Sequence, residues 1–234
     1  MIMSRSGRST ALERALDKAI AIPAARIEER VARMRRDRPG ADAAELVEMA
    51  ASRFRRDAGL SSGAVGASVA LPAISTGAAA ALTVGQSAAF IASAVTYVLT
   101  VAEIQGIHVV DAERRRALVL SALLGKEGSE AVQGQLGLST MFWAAQVLMQ
   151  MPLPTVKSIN ARLIKRVAKR SAAKGGALAL GRLIPFGIGA AIGWSGGRAL
   201  ANQVIEGAQA ALGPQLVLGD HGSDIIDVTE VINA

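Results

Sequence analysis

Residues 58–102 read AGLSSGAVGASVALPAISTGAAAALTVGQSAAFIASAVTYVLTVA, and in these 45 positions there is no charged side chain. Fourteen are Ala, five Gly, fourteen strong hydrophobes and eleven Ser, Thr or Gln, with Pro72 completing the count. A run of this kind needs a cover that is not water. Three covers are open: the centre of a helical domain, the lining of a lipid-accepting groove, or a bilayer. Gly59-xxx-Gly63 and Ser62-xxx-Gly66-xxx-Ala70 put small residues on one helical face, the spacing that lets two helices approach closely. Pro72 breaks or restarts the helix, and 74–82 and 88–101 read as further helix. Gln86–Ala102 is the most hydrophobic part; its 17 residues barely span a hydrocarbon core.

Outward from this stretch, charge is arranged in blocks. Residues 1–57 carry 13 basic and 9 acidic side chains, 103–130 carry 4 and 5, 157–198 carry 9 and none, and 199–234 carry none and 5, which together give the net +7. A basic segment is thus followed directly by an acidic tail. Hydrophobic residues make up 51% of the 234-residue chain and aromatics 3%, so the core is built from Ala, Gly, Val, Leu and Ile. With no cysteine and only His108 and His221, disulfides, thiolate metal sites and histidine-rich clusters are excluded. The first ten residues have Arg5 and Arg8 but no apolar run behind them, unlike a secretory leader. The expected location is the cytoplasm, peripheral to the inner face of the membrane, with an integral protein as the alternative.

Before the stretch, Thr10 with Glu13 reads as a capping box, Pro23 separates a first helix from a second, and Arg38-Pro39-Gly40 is a stop. Asp42 caps the next helix, which is expected to end in the basic cluster Arg53, Arg55 and Arg56. That cluster stands where a positive-inside anchor would. After the stretch, Gly106-Ile107-His108 reads as a turn and Asp111 as the cap of a helix that ends at Gly125. His108 reads as a hydrogen-bonded structural histidine, and Asp111 and Glu113 as capping groups rather than an acid–base pair.

Residues 131–156 are again uncharged. Met141, Trp143, Met149 and Met151 there form either a core helix or an adaptable partner surface. Lys157 to Lys174 is the sharpest local pattern. Ile159, Leu163 and Val167 recur every fourth residue, and Lys157, Arg162, Lys165, Arg166, Lys169, Arg170 and Lys174 fill the rest. This basic amphipathic helix suits an anionic lipid surface, which would accept both of its faces. Nucleic acid is disfavoured, because the segment has no aromatic for base stacking. Gly189, Gly193 and Gly197 form a second close-packing run. Leu71-Pro72 before Gly77-Ala78-Ala79 is echoed by Ile184-Pro185 before Gly189-Ala190-Ala191, and the two glycine-lined helices are expected to pack together. These glycines do not make a phosphate-binding fingerprint, since GxxxxGK[ST] is absent and Gly187-Ile188-Gly189-xxx-Gly193 has the wrong spacing for a dinucleotide turn. No nucleophile, base and metal set is assembled, so no enzymatic activity and no cofactor are expected. The tail, with Asp220, Asp224, Asp227 and Glu230 among Ile and Val, is open between an extended segment, a short strand and a cover for the basic helix or a protein partner.

Three blocks together resemble the EcsC family, of the actinobacterial kind. They are Pro39-Gly40-Ala41-Asp42-Ala43-Ala44-Glu45-Leu46, Gly106-Ile107-His108 with Asp111-Ala112-Glu113-Arg114-Arg115-Arg116, and Arg182-Leu183-Ile184-Pro185 with Gly197-Arg198-Ala199-Leu200. The resemblance spans roughly residues 38–215 and implies a bacterial, helical, membrane-linked protein with no catalytic residues to carry over. Trp194-Ser195-Gly196 departs from the polar-aromatic pair expected in that family.

The expected fold is therefore all-α: a single-domain helical bundle with a central pair of Gly/Ala-rich close-packed helices. Charged N-terminal helices (1–37) precede the EcsC-like domain (38–215) and the acidic tail (216–234). The expected function is non-enzymatic, peripheral lipid binding through the basic helix with Arg53, Arg55 and Arg56. The alternatives are an integral protein with 58–102 and 183–205 inserted, or a soluble scaffold that binds a protein partner.

Overall fold

Local chemistry sets where most helices begin and end. In the computed structural model, which describes residues 5–69, 76–136, 143–180 and 188–213, there are eight α-helices and no strand among the described residues. Helix α1 is Arg5–Ile20 and α2 is Ala24–Asp37, with Pro23 at the junction, where a missing N–H costs nothing. Ile27, Val31 and Met34 recur at helical spacing on α2 and are buried. Gly40, at φ +90°, makes the turn into α3 (Ala43–Val69), and Asp42 Oδ1 accepts the Glu45 N–H at 2.8 Å.

Helix α4 is Thr76–Ile104, one continuous helix rather than two pieces. It ends in a Schellman pair: the Ile107 N–H donates to the Ala102 carbonyl and the Gly106 N–H to the Glu103 carbonyl, with Gly106 at φ +75°. Helix α5 is Ala112–Leu124; Asp111 Oδ1 accepts the Arg114 N–H at 3.0 Å, and Gly125 stops it. Helix α6 (Lys126–Leu136) follows at once, and a π-helical turn, Ala144–Leu148, leads to α7 (Leu153–Leu180). Helix α8 (Ile188–Leu212) ends at Gly213, φ +93°.

Two expectations about boundaries are corrected. Thr10 lies inside α1, because a residue able to cap does not stop a helix whose next residues also favour it. Arg53, Arg55 and Arg56 lie in the middle of α3, which runs on to Val69 without a break, so they do not cap a helix end.

Helices α3 and α8 make the most extensive helix–helix contact of the described residues, in keeping with the small-residue spacing on both; α4, the helix after Pro72 that the echo pairs with α8, touches it far less. They run antiparallel: Arg55 Nε donates to Asn202 Oδ1 at 3.0 Å, Gly197 lies on the Ala58 carbonyl, and Gly59 faces the Trp194 ring. A Cβ at position 59 would stand 2.9 Å from that ring. Gly63, Gly66, Gly189 and Gly193 lie on the same two helices, and their packing falls outside the described residues. Helix α4 packs on α3 with Tyr97 stacked on Phe54 at 5.1 Å, and α5 packs on α8, where Gly207 meets the Ala122 backbone. Helices α1 and α2 cover α4, and α6 and α7 cover α5. Leu16, Ile20, Ile27, Val31 and Met34 join the same core as the later helices, so α1 and α2 pack into the bundle.

Three consecutive arginines hold this arrangement together from α5. Arg114 donates to the Leu148 and Met151 carbonyls, both at 3.0 Å, and fixes the π-helical turn. Arg115 is 6% exposed and donates to the carbonyls of Val109 at 2.6 Å, Ile22 at 2.6 Å and Ile20 at 3.2 Å. Burial lowers its pKa, and the C-terminal carbonyls of α1 supply the compensating negative end. Arg116 pairs with Asp17 of α1.

Candidate functional site

The candidate surface is built on α7. Pro154 sits in its first turn, where a proline is tolerated. Val156, Ile159, Leu163 and Val167 then face inwards and are buried, along with Asn160, whose Nδ2 donates to the Glu113 carbonyl at 2.9 Å and carboxylate at 2.7 Å. The apolar face of the basic amphipathic helix is thus spent on α5. This corrects the expectation that lipid would meet both faces: only the charged face is outward. Lys157, Arg162, Lys165, Arg166 and Lys169 are exposed, and none has an ion-pair partner among the described residues. Arg170 and Lys174 belong to the same helix, and their side chains fall outside the described residues.

Between α6 and α7 lies an open groove of about 840 Å³. Leu124, Ala131, Ile159 and Leu163 line its base; Arg162, Arg166 and Lys169 stand on one side and Glu127 and Glu130 on the other. The surfaces expected to line a lipid-accepting groove between the Gly/Ala-rich helices lie mostly outside the described residues. The walls of this groove carry opposite charges, because α6 places Glu127 and Glu130 across from Arg162, Arg166 and Lys169.

The second basic group divides. Arg53 and Arg56 are exposed, but Arg55 is half-buried and engaged, with Nη1 on Glu48 at 2.7 Å and Nε on Asn202. Arg55 therefore ties α3 to α8 and is withdrawn from the headgroup-reading set. Burial first, and then the Arg53 charge, lower the pKa of Arg30, against an opposing effect of the Asp57 carboxylate. Neither Arg30 nor Arg198 was among the expected headgroup-reading residues; the Arg198 guanidinium lies 5.6 Å from the Trp194 ring centroid.

Of the two readings open for Met141, Trp143, Met149 and Met151, burial favours the core for those described. Trp143 is fully buried, and its Nε1 donates to Ser129 Oγ at 2.7 Å, which in turn donates to the Ala210 carbonyl at 3.1 Å. Met151 is buried and Met149 half-buried against the core; Met141 lies outside the described residues. His108 is hydrogen-bonded, with Nδ1 2.9 Å from Glu103 Oε2, as expected of a structural histidine.

Among the described residues, no group of three His, Asp or Glu side chains is placed to hold a metal. Burial pushes the Tyr97 hydroxyl far above its ordinary value, and its ring is part of the α3–α4 aromatic stack rather than of a cleft. One described window, Ser87–Ile104, is long and apolar enough to cross a membrane, and 56% of it is buried inside the protein. The acidic tail lies outside the described residues. The chain is an all-α bundle by fold; it matches no protein-family model, no curated protein and no solved structure among those compared.

Proposed function

We propose that this is a non-enzymatic, membrane-associated helical protein that binds anionic phospholipid surfaces through the outward face of α7; the resemblance to the EcsC family implies no more than the link to a membrane. The observation that carries this reading is the division of α7. Its apolar residues are buried in the core, while Lys157, Arg162, Lys165, Arg166 and Lys169 face out without ion-pair partners among the described residues. Near an anionic membrane each cation contributes roughly 1 kcal/mol, so five contribute about 5 kcal/mol, and salt screens the whole sum. Arg53 and Arg56 add to it from α3. Binding to a nucleic acid backbone would use the same charges, but no aromatic stands among them to stack on bases.

Vesicle co-flotation tests the proposal. The protein is expected to float with phosphatidylserine-containing vesicles and not with neutral phosphatidylcholine vesicles, and to detach as salt is raised. Equal flotation on both, or none on either, contradicts it.

A further inference from the structure

Helices α6 and α7 turn charges of opposite sign towards one groove. Glu127 and Glu130 stand on the α6 side, and Arg162, Arg166 and Lys169 on the α7 side. Glu130 and the three cations are exposed, and no ion pair joins them among the described residues. Closing the walls on each other would gain little, because an exposed ion pair must immobilise two long side chains. The α6 wall is also unobstructed: a Cβ at Gly134 would meet nothing within 4 Å. The result is an open groove of about 840 Å³ with a positive and a negative side.

This arrangement selects among small charged ligands. A lone anion drawn by the α7 wall meets two carboxylates opposite, and a lone cation drawn by the α6 wall meets three fixed positive charges. A ligand with both signs on neighbouring groups is matched by both walls and repelled by neither. The donors and acceptors narrow it further. A guanidinium presents a planar fork of N–H donors that suits a phosphate, and the α7 wall carries two of them. A carboxylate accepts from N–H, so the positive end of the ligand must carry hydrogens, as a primary ammonium does. Quaternary ammonium groups are held instead on aromatic faces, and no aromatic is among the described residues that line the groove. The apolar floor of Leu124, Ile159 and Leu163 suits the methylenes between the two charges. Arg162, Arg166 and Lys169 also belong to the outward face of α7, so a membrane held on that face brings its headgroups to the mouth of the groove.

We infer that the α6–α7 groove takes the headgroup of phosphatidylethanolamine, with its phosphate on Arg162 and Arg166 and its ammonium on Glu127 and Glu130. This rests on the membrane reading above and adds a choice of headgroup to a surface otherwise read by charge alone.

Vesicles with a fixed share of phosphatidylglycerol, which supplies negative charge without an ammonium, are completed with either phosphatidylcholine or phosphatidylethanolamine. Partitioning of the full chain onto the two is compared. The ethanolamine vesicles are expected to bind about tenfold more tightly, the worth of one hydrogen bond to a charged group. The double variant Glu127→Gln with Glu130→Gln is first checked for the parent's helicity and thermal midpoint. It is expected to lose this preference, yet to bind the choline vesicles at least as well as the parent, since two negative charges have left a cationic surface. The opposite directions separate a lost contact from lost folding. A parent that binds both kinds of vesicle equally overturns the headgroup site and leaves the surface reading standing. A preference that persists in the double variant comes from the packing of ethanolamine bilayers and also overturns the site. Binding to neither kind overturns both readings. A preference that appears only after Asp220, Asp224, Asp227 and Glu230 are all changed to their amides assigns the groove to the acidic tail and overturns the site in the native chain.

Discussion

Gly197 lies directly on the Ala58 carbonyl, and a Cβ built on it would stand 2.8 Å from Ser62 Cβ. Its neighbour Gly196 has nothing within 4 Å of the same position. Both are inside α8, so the helix propensity term is the same for the two and only the neighbour differs. Gly196→Ala is expected to stabilise the protein by about 0.5–1 kcal/mol, by removing backbone freedom from the unfolded chain. Gly197→Ala is expected to destabilise it by about 1–3 kcal/mol, because α3 and α8 must move apart. Urea unfolding midpoints of the two variants should fall on opposite sides of the parent's.

Arg115 is the second pressure point. Its guanidinium is the donor to the carbonyls of Val109, Ile20 and Ile22, and it has no carboxylate of its own. Arg115→Met leaves buried carbonyls without donors, and a loss of about 3 kcal/mol is expected. Arg115→Lys should restore less than half of it, since one ammonium cannot span acceptors that a planar fork reaches on two sides. Equal stability of Met and Lys variants with the parent would contradict this role.

Glu48 gives a pH dependence of known sign. The hydrogen bond from Arg55 lowers its pKa, against a smaller opposing effect of burial. A depressed carboxylate contributes stability that is complete above its unfolded value of about 4.3 and fades as pH falls through the lower native value. The pair is largely solvent-exposed on the Glu48 side, so the contribution is small. The stability gap between the parent and Glu48→Gln should be constant near neutrality and close as the solution is acidified. A gap that widens on acidification would reverse the assignment.

The helix boundaries were legible where one side chain or one glycine decides them. Asp42 and Asp111 cap by reaching their own backbone three residues on, Gly106, Gly125 and Gly213 adopt φ values that other residues avoid, and Pro23 removes a donor. The α3–α8 pairing was legible for a related reason: Gly59 and Gly197 carry their message in size alone. The buried stripe of α7 followed from its period. What the sequence does not display is the partner of a long polar side chain. Arg55 and Arg56 are adjacent and alike, yet one is held by Glu48 and by Asn202, 147 residues away, and the other is exposed. Arg114, Arg115 and Arg116 read as one basic run and serve three separate contacts. Trp143 was open between core and surface because periodicity does not say which side of a helix the rest of the chain will cover; Ser129 and the Ala210 carbonyl decide it.

The central claim is that the outward cations of α7 bind an anionic membrane surface. Its most direct measurement is partitioning onto phosphatidylserine-containing vesicles of a variant with Arg162, Lys165, Arg166 and Lys169 all changed to Gln, compared with one in which Arg26, Arg35, Arg36 and Arg38 of the α2 region are changed in the same way. The account predicts a fall of about a thousandfold for the α7 variant, from four cations at roughly 1 kcal/mol each, and a much smaller fall for the control. Equal losses in the two would show that net charge alone drives binding, and no loss in the α7 variant would contradict the account outright.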